Sequence, residues 1–251
     1  MNIRVLTLNI HKGLNAFGRK YVLESLRRAM RELDADILCL QEVVGRNLSE
    51  SETLQSQYEY LADSIWSHYS YGQNAVLENF QHGNAILTKF PIEMEFHLDL
   101  AVRPYERRGL LHVMVDADAL PSRLHLLCTH LGLRRSERRM QIRKIVQYLE
   151  LIPKEDAVIL AGDFNDWGTG ETHRLLDPAL GFQEVHLALR GKYARTFPSI
   201  LPLLQLDRIY FKNMNVLSAM KRGWGSRYLS DHCIVGAELT LRRTEGESMA
   251  S

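Results

Sequence analysis

Val158-Ile159-Leu160-Ala161-Gly162-Asp163-Phe164-Asn165 joins four apolar residues to a glycine, a carboxylate and an amide. The apolar run reads as a strand buried on both faces. Gly162 permits a tight bend. The carboxylate and amide then follow two positions apart, so Asp163 and Asn165 can face one cavity. An ordinary Asp-Asn turn would use the same residue types, and the distinction rests on whether other strands end the same way.

They do. Short apolar runs recur at Ile3–Ile10, Ile37–Leu40, Ala85–Leu87, Leu110–Val115, Leu124–Cys128, Ile209–Phe211 and Cys233–Leu241, and each reads as a buried strand. Some pairs are separated only by a turn, as Leu110–Val115 and Leu124–Cys128 are around Pro121-Ser122, which favours mixed or antiparallel sheets. Two stretches carry helical spacing instead: Leu23, Leu26, Met30 and Leu33, then Ile142, Ile145, Val146 and Leu149. Ser136 with Glu137 in the first turn marks the start of the second helix. Many strands with few helices predict two sheets packed face to face with helices outside, rather than one doubly wound parallel sheet.

Composition narrows the class. The 251 residues, 45% of them hydrophobic, suffice for a large core without disulfides or a structural metal. Lys and Arg total 31 against 30 Asp and Glu, so attraction to a polyanion must be local. Cys39, Cys128 and Cys233 are odd in number and lie in apolar stretches, which predicts reduced core thiols; with no CxxC pair, a thiolate zinc site is not expected. The N-terminus reads as a first strand rather than a secretory signal, and no apolar run approaches bilayer length, so a cytoplasmic, soluble protein without membrane insertion is expected. No linker or repeat interrupts residues 1–241, which are expected to form one domain, with 242–251 as a flexible tail.

Chelating residues recur where apolar runs stop. Asn9 and His11 close the first run, and Asn9 offers an oxygen to a metal or its water, although a turn-capping Asn and a surface His would look alike. Glu42 follows Ile37–Leu40; period-two alternation places it on the face of Leu38 and Leu40, where an unpaired carboxylate is costly and Mg²⁺ or Mn²⁺ would compensate it. His130 ends Leu126-Leu127-Cys128-Thr129 and could donate to a phosphate oxygen, while a lone His after a strand is more often structural. Asp163 can orient and polarise a water while Asn165 fixes its position or the phosphate. Asp207, opening Asp207-Arg208-Ile209-Tyr210, is an orienter for His232, and Asp231 would reach a metal beside Glu42.

The ordered set Leu-Gln-Glu (40–42), Gly-Asp-Phe-Asn (162–165), Leu-Asp-Arg-Ile-Tyr (206–210) and Ser-Asp-His (230–232) resembles the endonuclease/exonuclease/phosphatase superfamily with the DNase I-like fold, as a small bacterial member. The resemblance runs from Asn9 to about Leu241 and takes in the looser Gly83–Leu87 and Thr129–Leu131 signatures. It implies an α/β, four-layered α/β/β/α sandwich of two packed mixed or antiparallel sheets flanked by helices. By the same resemblance, Glu42 is the principal metal ligand with Asn9 and Asp231 beside it. Asp163 and Asn165 form the water-orienting pair, His232 with Asp207 the Asp-His dyad, and His130 the phosphate-contacting histidine. The implied reaction is in-line attack of water on phosphorus with Mg²⁺ or Mn²⁺ as cofactor and no covalent intermediate. Asp163 and His232 are both candidates to take the water proton, with the His232–Asp207 dyad favoured as the acid–base element.

The substrate is a phosphoester, with nucleic acid among the candidates and a phospholipid or inositol phosphate headgroup as the alternative; a noncatalytic binding module is a third reading, disfavoured by the completeness of the site. His130 stands where apurinic-site endonucleases usually carry Tyr, which disfavours a dedicated DNA-repair role. The absence of an aromatic-rich hairpin of the secreted sphingomyelinase kind disfavours a toxin. Arg134, Arg135, Arg138 and Arg139, with Arg107 and Arg108, could hold flanking phosphates or form solvated faces. Trp167, Trp224 and Arg195-Thr196-Phe197-Pro198 could shape a pocket by stacking or be core residues. Arg108, Arg134, Arg135 and Trp167 are the substrate-binding candidates, and a monomer is expected.

Overall fold

The structure, a computed structural model, describes residues 1–47, 56–62, 65–76, 80–103, 107–115, 123–167, 170–220 and 228–241. The expected tail, the Pro121-Ser122 turn and Trp224 lie outside them.

Strand β1 (Asn2–Asn9) leads through helix α1 (Leu23–Glu32) to β2 (Ile37–Asn47) and α2 (Gln57–Ala62), and then to β3 (His68–Val76), β4 (Phe80–Thr88) and β5 (Ile92–Asp99). There follow β6 (Gly109–Val115), β7 (Leu124–His130), α3 (Arg135–Leu149), β8 (Ala157–Asp163) and α4 (Glu171–Leu180). The chain closes with β9 (Gln183–Glu184), α5 (Val185–Arg190), β10 (Asp207–Lys212), β11 (Met214–Met220) and β12 (Val235–Leu241). These make two six-stranded sheets, ordered β11-β12-β1-β2-β4-β3 and β5-β6-β7-β8-β10-β9. Each is mixed: β1–β2 and β7–β8 are parallel and the other pairs antiparallel.

Alternation explains the layering. Along β1, Ile3 and Val5 join Ile37, Cys39 and Ile86 against Leu111, Val113, Leu126 and Ile159 of the other sheet, and this apolar seam holds the sheets together. The opposite face of β1 and β2, with Leu6, Leu8, Leu38 and Leu40, packs under Leu26 and Met30 of α1 and Leu61 of α2. Leu127, Val158 and Leu160 of the second sheet lie under Ile142, Ile145 and Leu149 of α3. Burying each such side chain contributes roughly 1.5–3 kcal/mol relative to exposure. The result is the expected α/β/β/α sandwich. Cys39, Cys128 and Cys233 are buried and none is in a disulfide.

Several local expectations change. Helix α3 starts at Arg135 with Arg134 as its cap residue and no side-chain cap; Glu137 is buried and pairs with Arg103 at 2.8 Å rather than capping. Gly162 does not end a strand. It stays in β8, paired with Thr129 and Arg208 at φ +148°, where a Cβ would stand 1.9 Å from the Thr129 carbonyl oxygen. Strands β3, β5, β9 and β11 and helices α2, α4 and α5 carry no counterpart in the sequence reading; β5 alternates as Ile92-Glu93-Met94-Glu95-Phe96-His97 on a mostly exposed edge.

Two parallel pairs, each joined by a helical crossover, end at the same edge of the sandwich. Asn9 lies opposite Gln41 at the end of β1, and His130 lies opposite Asp163 at the ends of β7 and β8. Antiparallel β10 begins there as Asp207 opposite Asp163. Val235 pairs with Thr7, so residues 230–232 fall beside Asn9.

Candidate active site

Asp163 is the centre of this edge. It is 1% exposed; its Oδ1 accepts from the Asn165 backbone N–H at 3.0 Å and its Oδ2 from Asn9 Nδ2 at 3.3 Å. The same Oδ2 stands 3.4 Å from His130 Nε2 and 3.8 Å from His232 Nε2. His232 Nδ1 is 2.8 Å from Asp207 Oδ2. The backbone N–H groups of Leu206 and Asp207 both donate to the Thr196 hydroxyl at 3.2 Å, which fixes the start of β10. The Phe197 ring lies 5.0 Å from the His232 ring, centroid to centroid. Asn165 takes φ +50° and donates its amide to the Leu131 carbonyl at 2.9 Å, so its side chain is held by backbone while its own N–H holds the Asp163 carboxylate.

Burial and charge oppose one another here. Burial pushes the Asp163 carboxyl up to about 6, with His232 pulling it down and Asp207 pushing it up. Burial also disfavours the His232 imidazolium, but Asp207, Asp163 and Asp231 outweigh it and push the ring up to about 10. His130 moves the other way: burial, then the nearby positive charge of Arg108 and of His232, hold it well below the ordinary histidine value. The surrounding carboxylates thus favour a protonated His232, and burial with its cationic neighbours favours a neutral His130.

The mouth is built differently. In β2 the ladder to β4 shifts between Leu40 and Val43, and Glu42 takes φ +54°. The expected alternation therefore fails at Glu42, which leaves the face of Leu38 and Leu40 and meets Asn9 Nδ2 at 3.3 Å. Lys12 Nζ stands 3.6 Å from Glu42 and His11 Nδ1 3.6 Å from Asp231. Burial acts against the Glu42 charge, yet Lys12, the Asn9 hydrogen bond and His11 hold its carboxyl below the ordinary range. Asn9 uses its oxygen on the His11 backbone N–H at 3.0 Å, so its amide bridges Glu42 and Asp163. Ser230 donates its hydroxyl to the Asn9 carbonyl at 2.6 Å, and its Oγ lies 3.3 Å from Asp231 Oδ1. Lys12 and His82 belong to this surround and were not read from the sequence; His82 lies in the polar half of β4, where no periodicity marks it, yet it feels Glu42 directly.

Asp163, Asp207 and His232 present ligand atoms within 4.8 Å of one another and are a cluster that could hold a cation. Glu42 and Asp231, with 21% and 26% of their side chains exposed, add two carboxylates at the mouth, where Lys12 and His11 stand against them. Their hard oxygen donors suit Mg²⁺ or Mn²⁺.

The outer candidates separate. Arg108 is close enough to depress His130 and His82. Arg135 and Arg139 pair with Glu171 of α4 at 3.1 and 3.4 Å, and Arg138 donates to the Gly132 and Leu133 carbonyls and lies over the Trp167 ring. The tract thus largely staples α3 to its surroundings, with Arg134 exposed at its head. Trp167 is 47% exposed and lines a cleft of about 310 Å³ with Asp166, Tyr193 and Arg208. Arg208 is buried; it bonds Asp166 and the Tyr210 hydroxyl and faces the Tyr193 ring.

The chain belongs to the Endonuclease/Exonuclease/phosphatase family, which it matches over residues 6–232. It is 41% identical over 248 residues to the Escherichia coli (strain K12) protein YbhP, described as uncharacterized, covering 96% of this chain and 97% of that one. Among solved structures it is similar to an endonuclease/exonuclease/phosphatase from Beutenbergia cavernae, at 19% identity and a TM-score of 0.78, over 96% of this chain and 72% of that one. It is similar also to D. rerio TDP2 complexed with single strand DNA product, at 18% identity and a TM-score of 0.72, over 95% and 99% of the two chains. Members of this family are phosphoesterases and nucleases, and the solved structures share the fold of this chain.

Proposed function

We propose that the protein is a Mg²⁺- or Mn²⁺-dependent phosphodiesterase with nuclease-like action, working by in-line attack of water on phosphorus. The observation that carries this reading is the Asp163 carboxylate, fixed by the Asn165 N–H and standing 3.3–3.8 Å from Asn9, His130 and His232. Asp163, ionised at neutral pH, orients the water and accepts its proton. Asn165 sets the position of that carboxylate and of the phosphate. His232, held protonated by Asp207, places positive charge and an Nε2–H donor where oxygens on phosphorus gain charge, and can protonate the leaving oxygen. On this reading the dyad donates a proton and Asp163 accepts one, a choice between the two acceptors that the sequence left open. His130, neutral, hydrogen-bonds a nonbridging oxygen. Glu42, Asp231 and Asn9 would hold the metal, which when bound acts as a Lewis acid on phosphoryl oxygens. Three buried reduced cysteines fit a reducing, cytoplasmic compartment.

A nucleic-acid substrate is supported by the likeness to TDP2 with its single strand DNA product. One observation favours the phospholipid reading. Ile200, Leu201 and Leu203 are 42%, 65% and 57% exposed on the loop whose Ser199 N–H bonds the Asp231 carbonyl at 2.7 Å. An apolar rim beside the site would suit an amphiphilic phosphodiester. A panel of single-stranded DNA, RNA and phospholipid vesicles with Mg²⁺ or Mn²⁺ tests both. Cleavage of nucleic acid that falls when Arg108 and Arg134 are neutralised supports the nuclease, cleavage of lipid that falls with Leu201→Ser supports the alternative, and no cleavage of any leaves a binding module.

A further inference from the structure

Behind the dyad, between α5, the connection 191–206 and the adjoining ends of β11 and β12, lies a cavity of about 510 Å³. Its described lining holds Arg190, Lys192 and Arg195 together with the apolar Met220, Ile234 and Val235, and contains no Asp or Glu. None of Asp163, Asp207, His130, His232 or the mouth carboxylates lines it. We propose that this cavity is a binding site for a small organic phosphate, a molecule with an anionic phosphoryl group and an apolar or aromatic body.

The size and chemistry of the lining argue for that class. Small-molecule sites measure roughly 300–1,000 Å³ and combine apolar walls with a few placed polar groups. Three cations with no compensating carboxylate lining the cavity make a local positive field in a chain whose charges otherwise balance. Among the described residues Arg190 donates to the Ala219 carbonyl at 3.1 Å, and its guanidinium carries further donors suited to an anion. His186, also in the lining, is 4% exposed. Burial, and then Arg190, push its ring down to about 4, so it offers a neutral imidazole rather than a fourth charge. The apolar residues beside these groups would cover the organic part of the ligand, which inorganic phosphate lacks.

The cavity is distinct from the catalytic cleft but shares its frame. Thr196 lines the cavity, its hydroxyl accepts from Asp207 N–H, and its carbonyl accepts from the N–H of Cys233, the neighbour of His232.

Calorimetric titration with phenylphosphonate, which carries a phosphoryl dianion and a ring and has no ester to cleave, tests the proposal in metal-free full-length protein. One-site binding is expected, about tenfold tighter than inorganic phosphate because the ring is buried. Arg190→Glu with Arg195→Glu should weaken it at least about tenfold, and the exposed single change Lys192→Glu should weaken it about threefold, which keeps the test decisive if the double variant does not fold. Asp163→Asn should leave it within about twofold, since a cleft ligand would instead respond to loss of that carboxylate. No binding at millimolar phenylphosphonate, affinity equal to that of phosphate, or binding that follows Asp163→Asn and ignores the lysine and arginine reversals would overturn the site.

Discussion

Replacing Asp207 by Asn keeps the shape of the side chain and removes a negative charge 2.8 Å from His232 Nδ1. Burial alone would drive this ring, 5% exposed, toward its neutral form. That it is instead pushed up to about 10 reflects Asp207 first, then Asp163 and Asp231. Measured from an ordinary histidine near 6.5, this is a preference for the protonated ring of the order of 5 kcal/mol. An opposite charge at such range accounts for about 1–3 pH units, so the Asn variant should titrate His232 about 2 units lower. NMR titration of the His232 ring in metal-free protein reads this directly. Turnover of bis-p-nitrophenyl phosphate with Mg²⁺ should fall about 100-fold or more, the usual scale for loss of a positioned proton donor. Stability follows with a defined sign. A value raised in the folded state adds stability fully below about pH 6.5 and loses it as pH rises toward about 10. The parent's melting temperature should therefore fall across that window, and that of Asp207→Asn should fall less. A variant whose His232 midpoint stays within about 0.3 units of the parent would refute the assignment of Asp207 as the main source of the charge.

Further outcomes follow from the same geometry. Glu42→Gln should weaken Mn²⁺ binding at least about tenfold by calorimetry, and parental affinity would remove Glu42 from the metal set. Gly162→Ala should destabilise by more than about 4 kcal/mol in urea unfolding, because the added methyl meets the Thr129 carbonyl; a loss under about 1 kcal/mol would show that β7 and β8 can part. Glu184, the cap of α5, is pushed by burial up to about 7. The folded state then holds its proton longer than the unfolded chain, so stability drops as pH rises from about 4 through about 7, by a few kcal/mol. Glu184→Gln should flatten that slope, and an unchanged slope would locate it elsewhere.

The layers were legible because short apolar runs mark buried strands, and β2 and β8 carry four or more apolar residues in succession. Strands β3 and β11 were not, since their polar residues lie on exposed or edge positions where nothing demands an apolar side chain. The gathering of Asn9, His130, Asp163, Asp207 and His232 could be anticipated from strand endings, because the last residue of a strand falls at a sheet edge whatever its partners. Glu42 shows the limit. Its neighbours alternate regularly, and only the bulge with φ +54° redirects it to the mouth. The arginine tract shows another, because Glu171, which claims Arg135 and Arg139, is more than thirty residues away in sequence.

The central claim is that Asp163 activates water in a metal-dependent phosphoester hydrolase. Initial rates of bis-p-nitrophenyl phosphate hydrolysis by the parent and by Asp163→Ala, with Mn²⁺ and then with excess EDTA, test it most directly. The account predicts turnover by the parent that EDTA abolishes and that the alanine variant loses by about 1,000-fold or more. Parental turnover in EDTA, or a folded Asp163→Ala protein that hydrolyses at the parental rate, would contradict it.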